Sequence, residues 1–249
     1  MNGVRLALSW LTVLPVRGPE TVDRAVAARA IAMAPLVGVL LGAGAAGLMW
    51  VFGTAGTSFA LAGFLTVGAL ALVTRGMHLD GLADTFDGLG SYGPPERARE
   101  IMKSGGAGPF GVAALIFAIG IQALAFAALA EQGRWFAIAL AVTVGRIAVV
   151  AACRIGRTAA PGAGFGALVA GTQSPVTVAL WSILALAAGF FAVPAYLGLG
   201  TAAVAVALAL AWLLVRHCLR RFDGLNGDTL GAALELAVAI TAVVTTCQP

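Results

Sequence analysis

A chain of 249 residues that is 60% hydrophobic and only 10% charged cannot build a water-facing surface, because ordinary soluble domains use about 25% charged residues. Fifteen basic against 11 acidic residues give a formal charge of +4. In so apolar a chain this excess reads as membrane topology, and no nucleic-acid partner is expected. Three cysteines, Cys153, Cys218 and Cys247, stand far apart without a CxxC spacing, which argues against a disulfide framework or a zinc site.

The pattern is that of an all-α, polytopic transmembrane helical bundle: mean hydropathy is +0.97, and long apolar runs alternate with short polar stretches. The first 15 residues carry a modest apolar stretch with no small-residue cleavage site after it, and they read as a retained interfacial or re-entrant helix. A spanning helix needs about 20 apolar residues, and about seven segments approach that length. They lie at 31–53, 57–75, 109–130, 135–152, 176–196, 200–215 and 231–246, the last two being short. Between them fall a long polar loop, 76–108, and two shorter ones, 153–175 and 216–230. No linker or repeat divides the chain, so residues 1–249 are expected to form one integral membrane domain. Abundant glycine (33 residues) and alanine suit close helix packing in lipid.

With seven spans and a cytoplasmic N-terminus, 13 of the 15 basic residues fall inside, the exceptions being Arg134 and Arg146. This satisfies the positive-inside rule. Nine of the 11 acids fall there too, all but Glu131 and Glu235. A plain anchor has no reason to collect both signs on one face, whereas a site handling a charged substrate at the cytoplasmic surface does. Arg146 and Glu235 sit within spans, where charges pair or face a polar cavity. They are read either as a mutual ion pair or as lining for a substrate path.

The segment His78-Leu-Asp-Gly-Leu-Ala-Asp-Thr-Phe-Asp-Gly puts Asp80, Asp84 and Asp87 at i, i+4 and i+7, within about 60° on one helix face. Three carboxylates so placed repel unless a cation joins them, and hard oxygen donors suit Mg²⁺ or Mn²⁺ bridging to substrate phosphates. The bland alternative is a solvated amphipathic helix with Leu79, Leu82 and Phe86 on its buried side. His78 points away from the acids on such a helix and is expected to support the ligands from behind or to be structural, and not to bind the metal itself. Lys103 and the glycines before Pro109 precede a helix start, where free N–H groups bind anions. The same residues equally make a plain turn with proline at the first helical position.

The run HLDGLADTFDGLG at 78–90, with REIMK at 99–103 and GPFG at 108–111, resembles the cobalamin synthase family, the adenosylcobinamide-GDP ribazoletransferases. RFDGLNGDTLGA at 221–232 is similar to the family's second polar motif, and TVLPV at 12–16 and PLVG at 35–38 also match. The resemblance implies transfer of a cobinamide phosphate from adenosylcobinamide-GDP to α-ribazole or its 5'-phosphate. It further implies release of GMP, a need for Mg²⁺ and an inner-membrane location. It adds Asp228 to the expected metal ligands Asp80, Asp84 and Asp87. By analogy with the CDP-alcohol phosphotransferases, Asp87 is the expected general base, with Asp84 and Lys103 also catalytic. Arg97, Arg99, Lys103, Arg221 and Asp228 are the expected substrate contacts. The chain departs from the family pattern after Lys103, where Ser104-Gly105-Gly106 replaces an acid and an arginine. It departs again at Asp223 and Asn226, where glycine and threonine are expected. Asp228 could also serve only as an N-cap. The rival readings are a transporter, which would hold carboxylates near the midplane of broken helices, and a lipid-type CDP-alcohol phosphotransferase, whose signature has an arginine where Asp84 stands. Membrane lipid is an expected partner, and self-association is left open.

Overall fold

The computed structural model describes residues 2–248; Met1 and Pro249, the ends of the expected single domain, lie outside the described residues. Eleven helices follow one another among them. They are α1 (Asn2–Leu11), α2 (Arg24–Thr54), α3 (Phe59–Val73), α4 (Met77–Gly90), α5 (Pro95–Met102), α6 (Pro109–Glu131), α7 (Trp135–Ala152), α8 (Phe165–Val169), α9 (Pro175–Gly189), α10 (Leu199–Arg221) and α11 (Gly227–Thr246). Local chemistry sets several of the starts. The side chains of Asp23, Ser58, Ser174 and Asn226 accept the backbone N–H three residues on, satisfying an otherwise orphaned donor. Prolines open α5, α6 and α9, where a missing N–H costs nothing.

All seven apolar segments are helical, as α2, α3, α6, α7, α9, α10 and α11. Five of these, α2, α6, α7, α10 and α11, are long and apolar enough to cross a membrane alone. The α3–α4 pair passes only jointly and is bent by 93°, because Arg75 and Gly76 take left-handed backbone angles at the break. α9 has 15 residues, about 22 Å at 1.5 Å per residue, shorter than a hydrocarbon core of about 30 Å.

Boundaries differ from the hydropathy reading where charges interrupt it. α2 begins at Arg24 and not at 31, and α10 runs on to Arg221 and not to 215. Arginine heads reach water while their stems continue the helix, so a charge ends a hydropathy run without ending the helix. The expected segment 176–196 ends at Gly189, and the expected loop 76–108 holds α4 and α5.

At the centre runs α7, with Ile138, Val144, Ile147 and Val150 fully or almost fully buried against α2 and α11. At Gly42 an added methyl would lie 2.9 Å from Ala139 Cα, so only glycine lets α2 approach α7 this closely. Outward-facing Leu72, Phe117 and Val176 remain 69–78% exposed, as side chains facing lipid do.

The polar segments meet at one end of the bundle. Arg24 donates to the carbonyls of Ala167 and Ala170, and Arg75 to those of Ser9 (3.2 Å) and Trp10 (2.7 Å). Arg221 reaches Ser91 O at 2.9 Å. At the opposite end, Arg134 and Gln132 close on the carbonyls of residues 245–247.

Candidate active site

Helices α4 and α11 cross with their backbones in contact. A methyl on Gly81 would lie 2.8 Å from Asp228 Cα, and one on Gly231 would lie 2.9 Å from the His78 carbonyl. The crossing brings Asp80 and Asp84 of α4 next to Asp228 in the first turn of α11. Asn226, not Asp228, caps that helix, its Oδ1 accepting the Thr229 N–H at 2.9 Å. The capping alternative for Asp228 is thereby removed.

Among the described residues, Asp80, Asp84 and Asp228 take no hydrogen bond or ion pair; the ion pairs present are Arg97–Glu100, Arg99–Glu96 and Arg99–Asp223. Burial, followed by the neighbouring charges of Asp80, Asp228 and Asp87, pushes the Asp84 carboxyl up to about 7. The three carboxylates lie at the polar end of the bundle, not at its middle.

Asp87 faces the other way. Its carboxylate accepts the N–H of Gly108 at 2.6 Å and of Gly111 at 2.9 Å, both at the start of α6, and the side chain is buried. The helix start that reads in sequence as an anion site therefore holds the protein's own anion. A methyl on Gly108 would lie 2.6 Å from Asp87 Oδ1, which explains the glycine, and Pro109 takes the first helical position. Asp87 therefore holds the start of α6 through both of its oxygens, a contact that the shared helix face of Asp80, Asp84 and Asp87 does not by itself give.

Two cavities flank Asp228 and share Gly227 and Phe165 as walls. The smaller, about 160 Å³, is lined by Lys103, Arg99, Met102 and the 160–163 turn. Lys103 Nζ donates to Gly162 O at 3.3 Å and has no carboxylate partner among the described residues. The larger, about 570 Å³, is mainly apolar, with Trp10, Ile31 and Leu168 in its wall beside Asp80, His78 and Arg146. Trp10 and Phe165 meet edge to face, ring centres 5.1 Å apart.

Of the other expected phosphate contacts, Arg99 lines the smaller cavity and is held there by partners of its own chain. Arg99 bonds Asp223 (2.9 Å), Glu96 (3.1 Å) and Phe222 O (3.1 Å), tying α5 to the end of α10. Asp223, at a position where the resemblance leads one to expect glycine, takes a left-handed backbone, φ 56°, that aspartate tolerates better than most residues. Arg97 pairs with Glu100 on the surface, Arg221 holds Ser91, and neither lines either of these two cavities. Sequence reasoning also missed the aromatic wall. Phe165 belongs to the short α8 in a polar stretch without periodicity, and only its contact with Trp10 gives it a role.

The carboxylate oxygens at the α4–α11 crossing are hard donors. Among the described residues no three metal-ligating side chains close on one point, so an all-protein cage does not fit. The residues present would fit a hard divalent cation such as Mg²⁺ that takes one or two carboxylates from the protein and its other ligands from water and substrate.

The chain matches the family model described as Cobalamin-5-phosphate synthase over residues 3–246. It is 41% identical to an adenosylcobinamide-GDP ribazoletransferase of Corynebacterium efficiens, with 97% of this chain and 90% of that protein covered. It is 40% identical to the protein of the same name from Frankia casuarinae (98% and 94% covered) and 38% identical to that from Shigella flexneri (92% and 93% covered). No solved structure matches. Both polar motifs that meet at the Gly81–Asp228 crossing fall within the matched span, and the chain belongs to the cobalamin-5-phosphate synthase family.

Proposed function

We propose that this protein transfers the cobinamide phosphate of adenosylcobinamide-GDP to a ribose hydroxyl of α-ribazole or its 5'-phosphate, releasing GMP, a late step of cobalamin biosynthesis. The observation that carries the reading is the set of three unpartnered carboxylates at the α4–α11 crossing: Asp228 lines both the cationic and the apolar cavity, Asp80 lines the apolar one, and Asp84 lies close enough to feel both charges.

Asp80 and Asp84 would hold Mg²⁺ or Mn²⁺, which when bound neutralises negative charge on the diphosphate. Lys103 in the smaller cavity screens the charge that builds on the leaving phosphate. Asp228, lining both cavities, orients the acceptor hydroxyl and takes its proton as the oxygen attacks phosphorus and the bond to GMP breaks. Apolar walls keep water from competing as nucleophile. The polar end faces the cytoplasm of the inner membrane, supported by the basic residues gathered there.

The test is an assay of purified membranes with adenosylcobinamide-GDP and α-ribazole, with and without EDTA. Wild-type protein is expected to form product and GMP, EDTA to stop both, and Asp84→Asn to abolish GMP release at an unchanged level of protein in the membrane. Product formation that ignores the chelator, or full activity of Asp84→Asn, overturns the metal assignment. No product from wild-type membranes overturns the activity.

A further inference from the structure

Arg146 is 3% exposed, two-thirds of the way along α7. It forms no ion pair with Glu235: that carboxylate accepts the Gln122 amide at 2.6 Å, and no described acceptor bonds the Arg146 guanidinium. Its Nε is buried without a partner. The paired alternative of the sequence reading is thus not what forms. A guanidinium withdrawn from water with its donors unspent is costly, and such charges in a membrane protein mark a ligand path. Arg146 lines the 570 Å³ cavity, where it is the sole basic group beside the imidazole of His78.

The place of Arg146 relative to the reacting groups narrows the ligand. Neighbouring Gly145 packs on Leu234 of α11, and Leu230, Gly231 and Leu234 line the cavity with Arg146. Leu234 is six residues beyond Asp228, about 9 Å along the helix at 1.5 Å per residue. A ligand reaching from Asp228 to Arg146 therefore has a hydroxyl at one end, an anionic group about one sugar away, and an apolar body for Trp10, Ile31 and Phe165 to enclose. A cavity of this size holds a molecule of nucleotide dimensions; a corrinoid ring system with its side chains is larger.

We infer that the 570 Å³ cavity is the acceptor pocket, and that Arg146 binds the 5'-phosphate of an α-ribazole nucleotide whose ribose hydroxyl lies at Asp228. The inference rests on the proposed transferase reading and deepens it by one residue: Arg146 is the group that distinguishes the phosphorylated acceptor from the free nucleoside.

The test measures KM for α-ribazole 5'-phosphate, α-ribazole and adenosylcobinamide-GDP with purified, detergent-solubilised wild-type, Arg146→Gln, Arg146→Lys and Ala34→Leu proteins. Loss of one charge-assisted contact predicts that Arg146→Gln raises KM for the phosphorylated acceptor roughly 30-fold. KM for α-ribazole and for the donor should stay within about threefold, and Arg146→Lys should recover part of the loss. Ala34→Leu, which fills the cavity from α2 without touching charge, should raise KM for both acceptors and spare the donor. It keeps the pocket testable should Arg146→Gln fail to fold. Equal effects of Arg146→Gln on both acceptors, or an effect confined to the donor, overturn the inference. A lipid headgroup offers the same phosphate chemistry. Thermal stabilisation by added phosphatidylglycerol that Arg146→Gln abolishes, with the acceptor KM ratio unchanged, would assign Arg146 to lipid and also overturn it. Wild-type turnover of both acceptors without discrimination sinks the inference alone, whereas no turnover of either sinks the transferase reading.

Discussion

The two ends of the bundle treat charge differently. At the far end, Arg134 donates to the Thr245 and Cys247 carbonyls at 2.6 and 3.2 Å, and Gln132 to Thr246 O at 3.2 Å. These donors close the unsatisfied carbonyls at the end of α11, where a cation also complements the helix dipole. At the near end, Asp80, Asp84 and Asp228 have no hydrogen-bond or ion-pair partner among the described residues, and Asp84 is pushed up to about 7 by burial and by the other acids. One end is neutralised by its own chain. The other holds unspent charge that a folded protein keeps only where a ligand supplies the balance.

The comparison is broken most directly at Asp228. Asp228→Asn is expected to lower kcat about 1,000-fold if this carboxylate takes the hydroxyl proton, while the thermal midpoint holds or rises because a repelling charge is gone. A loss of stability without loss of turnover would show that the near end is structural after all.

Asp87 sharpens the contrast within one motif. It lies three residues from Asp84, yet its oxygens hold the start of α6. Asp87→Ala should therefore cost about 1–2 kcal/mol of stability, read as a lowered thermal midpoint. Unchanged stability with abolished turnover would return Asp87 to the reacting groups. The smallest effect is expected at the far end. Arg134→Ala should leave kcat and every KM within about twofold and lower stability by about 1 kcal/mol. A marked change in turnover would mean that the two ends are coupled.

Much of this organisation is legible in the sequence, for identifiable reasons. The apolar runs give the helices because lipid leaves a backbone few other options. The i, i+4 relation puts Asp80 and Asp84 together because they share one helix. Asp87 obeys the same periodicity but answers to Gly108 and Gly111, more than twenty residues on, and spacing along a helix cannot reveal such a contact. Arg146 and Glu235 invite pairing by sign alone, but they stand on different helices, and the amide of Gln122 from a third helix reaches Glu235. Phe165 gives no signal at all, since α8 is one short turn in a stretch without apolar periodicity.

The Gly81–Asp228 contact has a last consequence. Where two helices touch through side chains, repacking can absorb a change of neighbour; here main chain meets main chain, and atomic radii alone fix the separation. The spacing between the α4 acids and Asp228 is therefore insensitive to drift in the rest of the bundle and intolerant of a single methyl at its pivot. Gly81→Ala wedges the two halves of the site apart even though every charged group survives. One hydrogen atom in the right place is as much a part of this site as any of its acids.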